Sequence, residues 1–406
     1  MTIPPRDILH ELSPEIFKTI RVIFWENVYA TKAIQVTLRL HPEWEENKRA
    51  LFSDTVYNLI RWWRLLWFIL DRDPSSEEKD LQKLISIYLL SKQRDLTALQ
   101  KKRGLDVNQV IQRIATTKNI RVLRESIPNW LDKQGKQELG SRWDVVIGSL
   151  NQQPDLVIRV NTLKTTVKEL SVFLQKEGVA SEPIDWSPDA LHIIEKRNVF
   201  KLSGFRVGLF EVQDAASQMV SRILNPRPGM RVVDACAGEG SKTLHLAALM
   251  KNKGKIIALD TQEWRLKELR KRATKAGADT IETRMITSSK VYKRMDGTAD
   301  RLLLDVPCSG LGTLRRNPDI KWKFIAEDLE RLKILQQKLL EKYCMIAKPN
   351  GRLAYSVCSI LPSEAEEQVV RFLKKHTDFH LLNEKRYWPE TDGTDGFYVA
   401  LIERKE

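Results

Sequence analysis

The sequence predicts a doubly wound α/β fold for the second half of a 406-residue chain, with a small α+β segment and an all-helical module before it. From about Gly229, short apolar strands alternate with amphipathic helices, which is typical of a parallel sheet covered on both faces. The segment before it mixes strands and helices, and residues 1–125 show helical spacing alone. We therefore predict an all-α domain at 1–125, an α+β domain at 126–200 and an α/β domain at 201–406.

The composition is that of a folded, basic protein. Hydrophobic residues make up 42% of the chain and charged residues 30%, which excludes a mostly disordered protein. The longest apolar cluster, Arg61–Leu70, is too short to span a bilayer, and the amino terminus lacks a secretory pattern, so we expect a cytoplasmic protein. A net charge of +14 favours a polyanionic partner, although charge alone does not separate nucleic acid from a membrane surface.

The cysteines indicate neither a disulfide scaffold nor a zinc site, because they form no CxxC pair and no histidines cluster beside them. A buried small hydrophobic side chain is the default explanation for any one of them. Each thiol therefore has to be argued singly. The four residues are Cys236, Cys308, Cys344 and Cys358.

The amino-terminal module is predicted to be helical. Apolar residues from Val56 to Leu70 follow the spacing of a helix face, with Ser53 or Asp54 as the cap. The tryptophans at 62, 63 and 67 suit a base-stacking surface or a packed core, and their helix-core spacing favours the core. Further helices are expected at Leu81–Leu90 and Val107–Thr116.

The α+β segment begins at Ser126, where the helical pattern breaks. Leu156–Val160 and Leu191–Ile194 have the apolar runs of buried strands, and Thr165–Lys176 between them has helical spacing. These elements predict a small separate α+β domain.

Each predicted strand of the α/β half ends in a side chain that can do chemistry. Asp234 and Asp260 end the first two strands, Asp305 stands three residues before Cys308, and Ser356 stands two residues before Cys358. Ligands of doubly wound sheets bind at the carboxyl ends of the strands, so neighbouring strands would bring both thiols to one crevice. The strands are expected at 231–234, 255–260, 301–305 and 351–356, and the helices at 242–250, 263–276, 326–347 and 363–375.

The loop after the first strand, Asp234–Thr243, favours an adenosine-containing cofactor. Its end resembles the GK[ST] of a phosphate-binding P-loop, but Ser241 precedes Lys242 and Cys236 takes the place of the first glycine. Asp260 stands where dinucleotide folds carry a ribose-binding acid, which indicates the class of cofactor without naming the reaction. Two thiols beside such a cofactor, with a carboxylate close to one of them, suggest covalent catalysis on an electron-poor ring.

From about Pro128 to Arg404 the chain resembles the Fmu/Sun family of S-adenosylmethionine-dependent RNA (cytosine-5)-methyltransferases. The amino-terminal helices resemble the NusB-like module of the family's RsmB branch, which methylates small-subunit ribosomal RNA. The resemblance implies a Rossmann-like class I methyltransferase fold with an RNA-recognition extension at 126–200. It rests on RVNTLK (Arg159–Lys164), GLFEVQDAASQ (Gly208–Gln218), DACAGEGSKT (Asp234–Thr243), DVPCSGLGTLRRNPDIKW (Asp305–Trp322), SVCS (Ser356–Ser359) and DGFYVALIER (Asp395–Arg404).

The resemblance implies a covalent mechanism. Cys358 attacks carbon 6 of cytosine, and Cys308 assists removal of the carbon 5 proton and release of the adduct. Asp305 holds the pyrimidine edge and Lys242 lies beside the base. By the same resemblance, S-adenosylmethionine is bound by Cys236, Ala237, Gly238, Glu239, Gly240, Ser241, Lys242, Asp260, Thr287, Ser288 and Asp305.

Three positions depart from the family pattern without removing a catalytic group. Glu239 replaces a proline, and both a contact to the cofactor ammonium and a solvent-facing position are open for it. Thr287 and Ser288 stand where the family places an Asp near the adenine, so cofactor binding can be weaker. Val357 replaces the threonine before the nucleophile, which removes one hydroxyl.

The expected RNA contacts are Arg159, Asn161 and Lys164 in the α+β segment and Arg315 and Arg316 after Cys308. Asn161 is equally well explained as a turn residue that ends a strand. We assign Lys321 and Lys323 to the same phosphate-contacting loop, and the basic helix 263–276 to a solvated face. Carbon 5 is reached only in an unstacked base, so a single-stranded or bulged cytosine is expected.

Three functions are weighed against these residues. An RNA cytosine-5 methyltransferase acting on 16S ribosomal RNA accounts for both thiols, Asp305 and Lys242. A non-catalytic RNA-binding or ribosome-assembly protein has no need to keep them, and a methyltransferase of proteins or small molecules leaves the paired cysteines without a role. We expect S-adenosylmethionine as the cofactor, RNA as the partner, no metal, no membrane and a monomer.

Overall fold

The computed structural model describes residues 6–92, 106–195 and 197–406 of the chain. The described residues form two compact units. Unit 1 extends to Gln152 and also includes Leu314–Ala326, and unit 2 consists of Gln153–Thr313 and Glu327–Glu406. None of the helices in the described ranges is both long enough and apolar enough to cross a membrane.

Unit 1 is helical around a core of Leu, Ile, Phe and Trp side chains. Trp63 and Trp67 are 6% and 3% exposed, which confirms the prediction that they pack in a core. The two helices expected at Leu81–Leu90 and Val107–Thr116 are also confirmed. The helices are α1 (Arg6–Phe24), α2 (Ala30–Leu40), α3 (Glu46–Arg61), α4 (Trp63–Leu70), α5 (Glu78–Lys92), α6 (Val107–Thr117), α7 (Arg121–Arg124), α8 (Asn129–Leu139) and α9 (Trp143–Leu150).

The helix predicted to start at Ser53 or Asp54 is instead part of α3, which starts at Glu46 and ends at Arg61. Ser53 does not cap a helix, because its hydroxyl donates to the Arg49 carbonyl one turn earlier. Trp62 then leaves the helical region, with φ −105° and ψ 19°, and α4 follows it. The prediction of one continuous helix was therefore wrong at both its start and its middle.

The segment Leu314–Ala326 is an integral part of unit 1. Its Lys321 is 1% exposed, and the ammonium donates to the side-chain oxygen of Asn151 at 2.5 Å and to three backbone carbonyls. Burial lowers the pKa of Lys321 well below its usual value. The Trp322 indole N–H donates to the Ile60 carbonyl at 2.8 Å. These internal bonds replace the phosphate contact that we expected for Lys321.

The amino-terminal part of unit 2 is an antiparallel sheet in the order β2-β3-β1-β4, counted in the described residues. The predicted strands at Leu156–Val160 and Leu191–Ile194 correspond to β1 and β3. Helices α8 and α9, which follow the predicted boundary at Ser126, belong to unit 1. The elements are β1 (Leu156–Val160), α10 (Val167–Lys176), β2 (Ser181–Ile184), β3 (Ser187–Ile193), α11 (Ser203–Arg206) and β4 (Phe210–Val212).

The larger sheet of unit 2 has the order β10-β11-β9-β8-β5-β6-β7 within the described residues. Its parallel pairs β5–β6, β6–β7, β5–β8 and β8–β9 confirm the predicted doubly wound fold. β10 and β11 add an antiparallel edge that the sequence analysis did not assign. The elements are α12 (Ala215–Leu224), β5 (Arg231–Asp234), α13 (Ser241–Leu249), β6 (Lys255–Asp260), α14 (Glu263–Ala276), β7 (Ile281–Met285), α15 (Ser289–Lys293), β8 (Ala299–Asp305), α16 (Ile320–Lys323, in unit 1), α17 (Ala326–Tyr343), β9 (Ala347–Val357), α18 (Glu366–Lys375), β10 (Phe379–Tyr387), α19 (Pro389–Asp392) and β11 (Phe397–Arg404).

Chain order switches direction between β5 and β8, which is where a doubly wound sheet opens a crevice for its ligand. Apolar side chains of this sheet pack into one cluster on each face. β8 and β9 are direct neighbours, with Asp305 opposite Ser356. The short segments that follow these two strands therefore start side by side.

Candidate active site

The two cysteines that follow β8 and β9 meet at the carboxyl end of the sheet. The Sγ atoms of Cys308 and Cys358 lie 3.2 Å apart, and both residues are free, partly exposed cysteines. This contact follows from the strand order, because Asp305 and Ser356 are paired just before them. The expected convergence of the two sulfur atoms is confirmed.

The two thiols are not equivalent. The hydrogen bond with Cys358, burial, and the negative charges of Cys358 and Glu364 raise the pKa of the Cys308 thiol well above its usual value. A thiol with a raised pKa stays protonated at neutral pH, so the Cys308 S–H is available to donate to the Cys358 sulfur. A proton donor next to Cys358 stabilises negative charge on the Cys358 sulfur, which is the state that a nucleophile requires.

Lys242 and Asp305 form an ion pair at the same end of the sheet. Lys242 lies in the first turn of α13, and its Nζ is 2.6 Å from Oδ2 of Asp305. The Ser356 hydroxyl donates to the other oxygen, Oδ1, at 2.7 Å. The Asp305 side chain is 31% exposed, so it is held in place by two donors while remaining accessible to a ligand. The sequence analysis predicted Lys242 and Asp305 here but gave Ser356 no role.

Val357 lies on the other side of the strand from these groups. Its side chain is 0% exposed and packs in the apolar cluster of the sheet. Side chains alternate along a strand, so the position before Cys358 does not face the same way as Ser356. A threonine at position 357 would therefore place its hydroxyl in the apolar core, so the valine removes no polar group from the site.

The loop Asp234–Thr243 is folded tightly around buried carboxylates. The Thr243 hydroxyl donates to Asp234 at 2.7 Å, and burial raises the pKa of the Asp234 carboxyl to about 7. Asp260 accepts the backbone N–H of Gly238 at 2.9 Å and that of Gln262 at 2.8 Å. Asp260 thus shapes the loop as well as ending β6.

Gly238 leaves room for a ligand. Its φ is +55°, a conformation that favours glycine, and no other atom lies within 4 Å of the position that a Cβ would occupy. The loop therefore presents backbone to open space at the carboxyl end of β5. A bound adenosyl group with a charged amino-acid end fits such a backbone surface, with Asp260 next to it.

Two arginines, the buried Arg159 and the partly buried Arg272, donate hydrogen bonds to this loop. The Arg159 guanidinium donates to the Ser241 carbonyl at 2.5 Å and to the Gln213 side chain. Arg272 donates to the Glu239 carbonyl at 2.7 Å and to the Ser241 hydroxyl at 3.1 Å. The Glu239 side chain itself is exposed, which fits both of the positions that were open for it. Where the family has a rigid proline, this chain fixes the loop by arginine–carbonyl bonds.

Thr287 and Ser288 lie just beyond β7, whose last residue, Met285, is paired with Asp260. Both side chains are exposed. The Ile286 N–H donates to the Asp260 carbonyl at 2.9 Å, which ties this segment to the end of β6. Thr287 and Ser288 thus follow a strand that ends beside Asp260.

Most of the side chains predicted to contact RNA form hydrogen bonds within the protein instead. Arg159 and Asn161 are 3% and 7% exposed, and the Asn161 amide donates to the Gly208 and Ala276 carbonyls at 2.8 Å each. A buried side chain with satisfied donors is not available to a phosphate, so we correct the assignment of both residues to structural roles. Lys164 is exposed, and its ammonium donates to the Val207 and Lys275 carbonyls.

Arg315 and Arg316 belong to unit 1. Arg315 is 4% exposed, and its backbone carbonyl accepts a bond from Arg61 at 2.9 Å. Arg316 is partly buried. The burial of Arg315 argues against its expected phosphate contact, and the contact expected for Arg316 stays a prediction.

A buried glutamate joins the two cysteine segments. Glu364 is 0% exposed and accepts hydrogen bonds from Ser309, which follows Cys308, and from Ser359, which follows Cys358. Sequence analysis missed this group, although the repeated Cys-Ser pair was a visible signal.

Gly312 adds a close backbone contact: its N–H donates to the Cys358 carbonyl at 3.0 Å, and a Cβ on it would lie 2.0 Å from the Gly396 carbonyl oxygen.

Comparisons with known proteins give consistent matches. A family model described as 16S rRNA methyltransferase RsmB/F matches residues 221–403, and a RsmF/B-like ferredoxin-like domain matches residues 127–200. A Synechocystis protein named "Probable ribosomal RNA small subunit methyltransferase B" is 32% identical, over 96% of this chain and 98% of that relative.

Two solved structures are also similar. The crystal structure of PH0851 is 28% identical and covers 100% of both chains with a TM-score of 0.78. A methyltransferase homolog protein from Pyrococcus horikoshii is 29% identical and covers 70% of this chain and 97% of its own, with a TM-score of 0.63.

Proposed function

This chain belongs to the RsmB/F family of 16S rRNA methyltransferases, and we propose that it methylates carbon 5 of a cytosine in small-subunit ribosomal RNA through a covalent adduct on Cys358. The observation that carries this proposal is the 3.2 Å contact between the Cys308 and Cys358 sulfur atoms. The Lys242–Asp305 ion pair lies at the same end of the sheet.

S-adenosylmethionine, when bound, supplies an electrophilic methyl group on a sulfonium. We assign the methionine part of the cofactor to the backbone of Cys236–Ser241 and to the neighbouring Asp305 side chain. Its ribose is assigned to Asp260, and its adenine to Thr287 and Ser288. The open space beside Gly238 supports this assignment. The exposed Glu239 side chain is not needed to shape the loop, because Arg272 holds its carbonyl.

The first chemical step belongs to Cys358. Its thiolate attacks carbon 6, a sulfur–carbon bond forms, and the electron pair of the ring double bond moves towards carbon 5, N3 and O2. The Lys242 cation offsets the negative charge that develops on the ring. Asp305, fixed by Lys242 and Ser356, holds the pyrimidine edge. The electron-rich carbon 5 would then form a bond to the methyl group, whose bond to the sulfonium sulfur breaks and leaves a neutral thioether.

The second step belongs to Cys308. Cys308 lies beside Cys358 and gives up its proton to solvent before it acts as the base. The Cys308 thiolate removes the carbon 5 proton, the ring double bond forms again, and the bond from carbon 6 to the Cys358 sulfur breaks.

The test is methylation of ribosomal RNA with labelled S-adenosylmethionine. Wild-type protein is expected to produce 5-methylcytosine, and Cys358→Ala is expected to produce none. Cys344→Ala is the matched control, because Cys344 is a fully buried cysteine in the core cluster of the sheet. Binding of RNA without any methylation by the wild type would instead support a non-catalytic RNA-binding protein.

A further inference from the structure

We propose that Glu364 is a positioning residue that holds the two cysteine segments together, so that Cys308 and Cys358 stay within reach of the same base. The expected effect of Glu364 on the rate of methylation rests on the proposed function. Its expected effect on the distance between the two sulfur atoms does not, and this distance can be tested without RNA.

Glu364 is a carboxylate with all of its acceptor positions in use. Oε1 accepts the Ser309 backbone N–H at 2.8 Å and the Gln336 amide at 2.9 Å. Oε2 accepts the hydroxyls of Ser309 and Ser359 at 2.5 Å each. An ionised carboxylate has about four acceptor sites, so these four neutral donors saturate it. A saturated, fully buried carboxylate fixes the positions of its donors strongly, because hydrogen bonds to a charged group are short and directional.

The donors lie on both cysteine segments. Ser309 directly follows Cys308 and Ser359 directly follows Cys358, so one side chain bridges the ends of β8 and β9. Gln336 adds a second tie, because its amide also donates to the carbonyl of Pro307, the residue before Cys308. The S–H···S contact between the thiols is a weak bond and does not hold these segments by itself.

Glu364 is itself fixed to the sheet. It ends a short 3-10 turn, Pro362–Glu364, and its backbone carbonyl accepts the Tyr355 hydroxyl at 2.7 Å. Tyr355 lies in β9 and is fully buried. The same strand that presents Cys358 therefore also anchors the residue that brings Cys308 to it. The negative charge of Glu364 additionally helps to keep the Cys308 thiol protonated.

Glu364→Gln is the direct test, because the amide keeps the shape but offers hydrogens where two hydroxyls donate. Glu367→Gln is the matched control, since Glu367 lies on the same stretch of chain and is exposed. We expect the turnover of Glu364→Gln to fall about tenfold or more, while its dissociation constant for S-adenosylmethionine stays within about twofold of the wild type. Glu367→Gln should match the wild type in both measurements.

A second measurement does not need RNA. Diamide oxidises two neighbouring thiols to a disulfide and is itself reduced to a hydrazine, and mass spectrometry follows the Cys308–Cys358 cross-link. The rate should be at least about tenfold slower in Glu364→Gln than in the wild type and Glu367→Gln. Equal cross-linking rates and equal turnover would overturn the proposal. If the wild type cross-links rapidly but does not methylate RNA, the proposed function is wrong, and the positioning role of Glu364 is still supported.

Two further variants cover the case in which Glu364→Gln does not fold. Ser309→Ala and Ser359→Ala each remove one hydroxyl donor and leave the carboxylate with its other partners. We expect each to slow cross-linking and turnover by a few-fold, and we expect the double variant to be slower than either single one. Wild-type rates in the double variant would contradict the proposal.

Discussion

At the scale of single residues, the side chains of the site act as linked pairs. The Cys308 and Cys358 sulfur atoms are in contact, and Asp305 accepts from both Lys242 and Ser356. Groups that share a partner couple energetically, so the loss of one changes the state of the other. Asp305 is the clearest case, because each of its two oxygens has a donor.

Asp305→Asn should lower methylation about 100-fold, because the amide cannot pair with the Lys242 cation and presents hydrogens to the Ser356 hydroxyl and to the base. Single-turnover methylation of ribosomal RNA measures the effect. Asp296→Asn serves as the control, since Asp296 is an exposed aspartate outside the site, and it should keep the wild-type rate. A loss of less than threefold in Asp305→Asn would show that the base is held by other groups.

Residues at the ends of strands could be predicted from the sequence, and their supporting contacts could not. Asp305, Cys308 and Cys358 follow recognisable apolar strands, and a neighbouring pair of strands brings them together. The hydrogen bonds of Glu364 and Ser356 became visible only in the structure, because their partners lie about fifty positions away in the chain. Arg159 shows the opposite failure, since a basic residue in a strand looks the same in sequence whether it is exposed or buried.

At the scale of elements, the loop after β5 depends on the helix α14. Arg272 of α14 donates to the Glu239 carbonyl and to the Ser241 hydroxyl, and its charge is balanced by Glu211 at 2.9 Å. The basic helix that we assigned to a solvated face therefore has one basic residue turned inwards. Helical spacing alone does not reveal which arginine of such a face finds a buried carboxylate.

Arg272→Ala should weaken S-adenosylmethionine binding about tenfold, or about 1.4 kcal/mol, because the loop loses two hydrogen bonds. Isothermal titration calorimetry measures the dissociation constant, and a melting curve checks that the variant is folded. Lys271→Ala is the control, since the Lys271 side chain is 76% exposed on the same helix. Unchanged affinity in Arg272→Ala would mean that the loop keeps its shape without this residue.

Two features of the secondary structure could not be predicted from local sequence. They are the antiparallel edge of the sheet and the break between α3 and α4. The sequence DGFYVALIER contains the last strand, β11, yet it was recognised only as a family block. Its antiparallel pairing with β9 and β10 depends on the path of the chain and not on local pattern. The break between α3 and α4 at Trp62 also leaves no mark in the spacing of apolar residues, so the sequence pattern does not predict it.

At the scale of the whole molecule, the described residues group into two compact units, while a family model matches residues 127–200, close to the α+β domain predicted at 126–200. Hydrogen bonds cross the predicted boundary at residue 200: Asp189 of β3 accepts from Arg222 of α12 and from His245 of α13. Residues 153–200 therefore form one compact unit with the methyltransferase sheet. Residues 126–152 and 314–326 instead join the helices of unit 1, which no local pattern indicated.

The burial of His245 predicts a pH dependence of stability. Burial lowers the pKa of His245 to about 4 from an ordinary value of 6.5. The unfolded chain then binds more protons than the folded protein between these values, so stability is full above pH 6.5 and is lost as the pH falls towards 4. The loss should reach about 3 kcal/mol, and His245→Gln should remove this part of the slope. Urea unfolding from pH 4 to pH 7.5 measures it, and a slope unaffected by the substitution would contradict it.

The central claim is that Cys358 bonds covalently to the base and that Cys308 is needed to release it. The most direct measurement is mass spectrometry of Cys308→Ala after incubation with ribosomal RNA and S-adenosylmethionine. We predict a stable protein–RNA adduct whose nucleotide is attached at Cys358 and carries the transferred methyl group. Free turnover by Cys308→Ala without an adduct, or an adduct attached at another residue, would contradict the account.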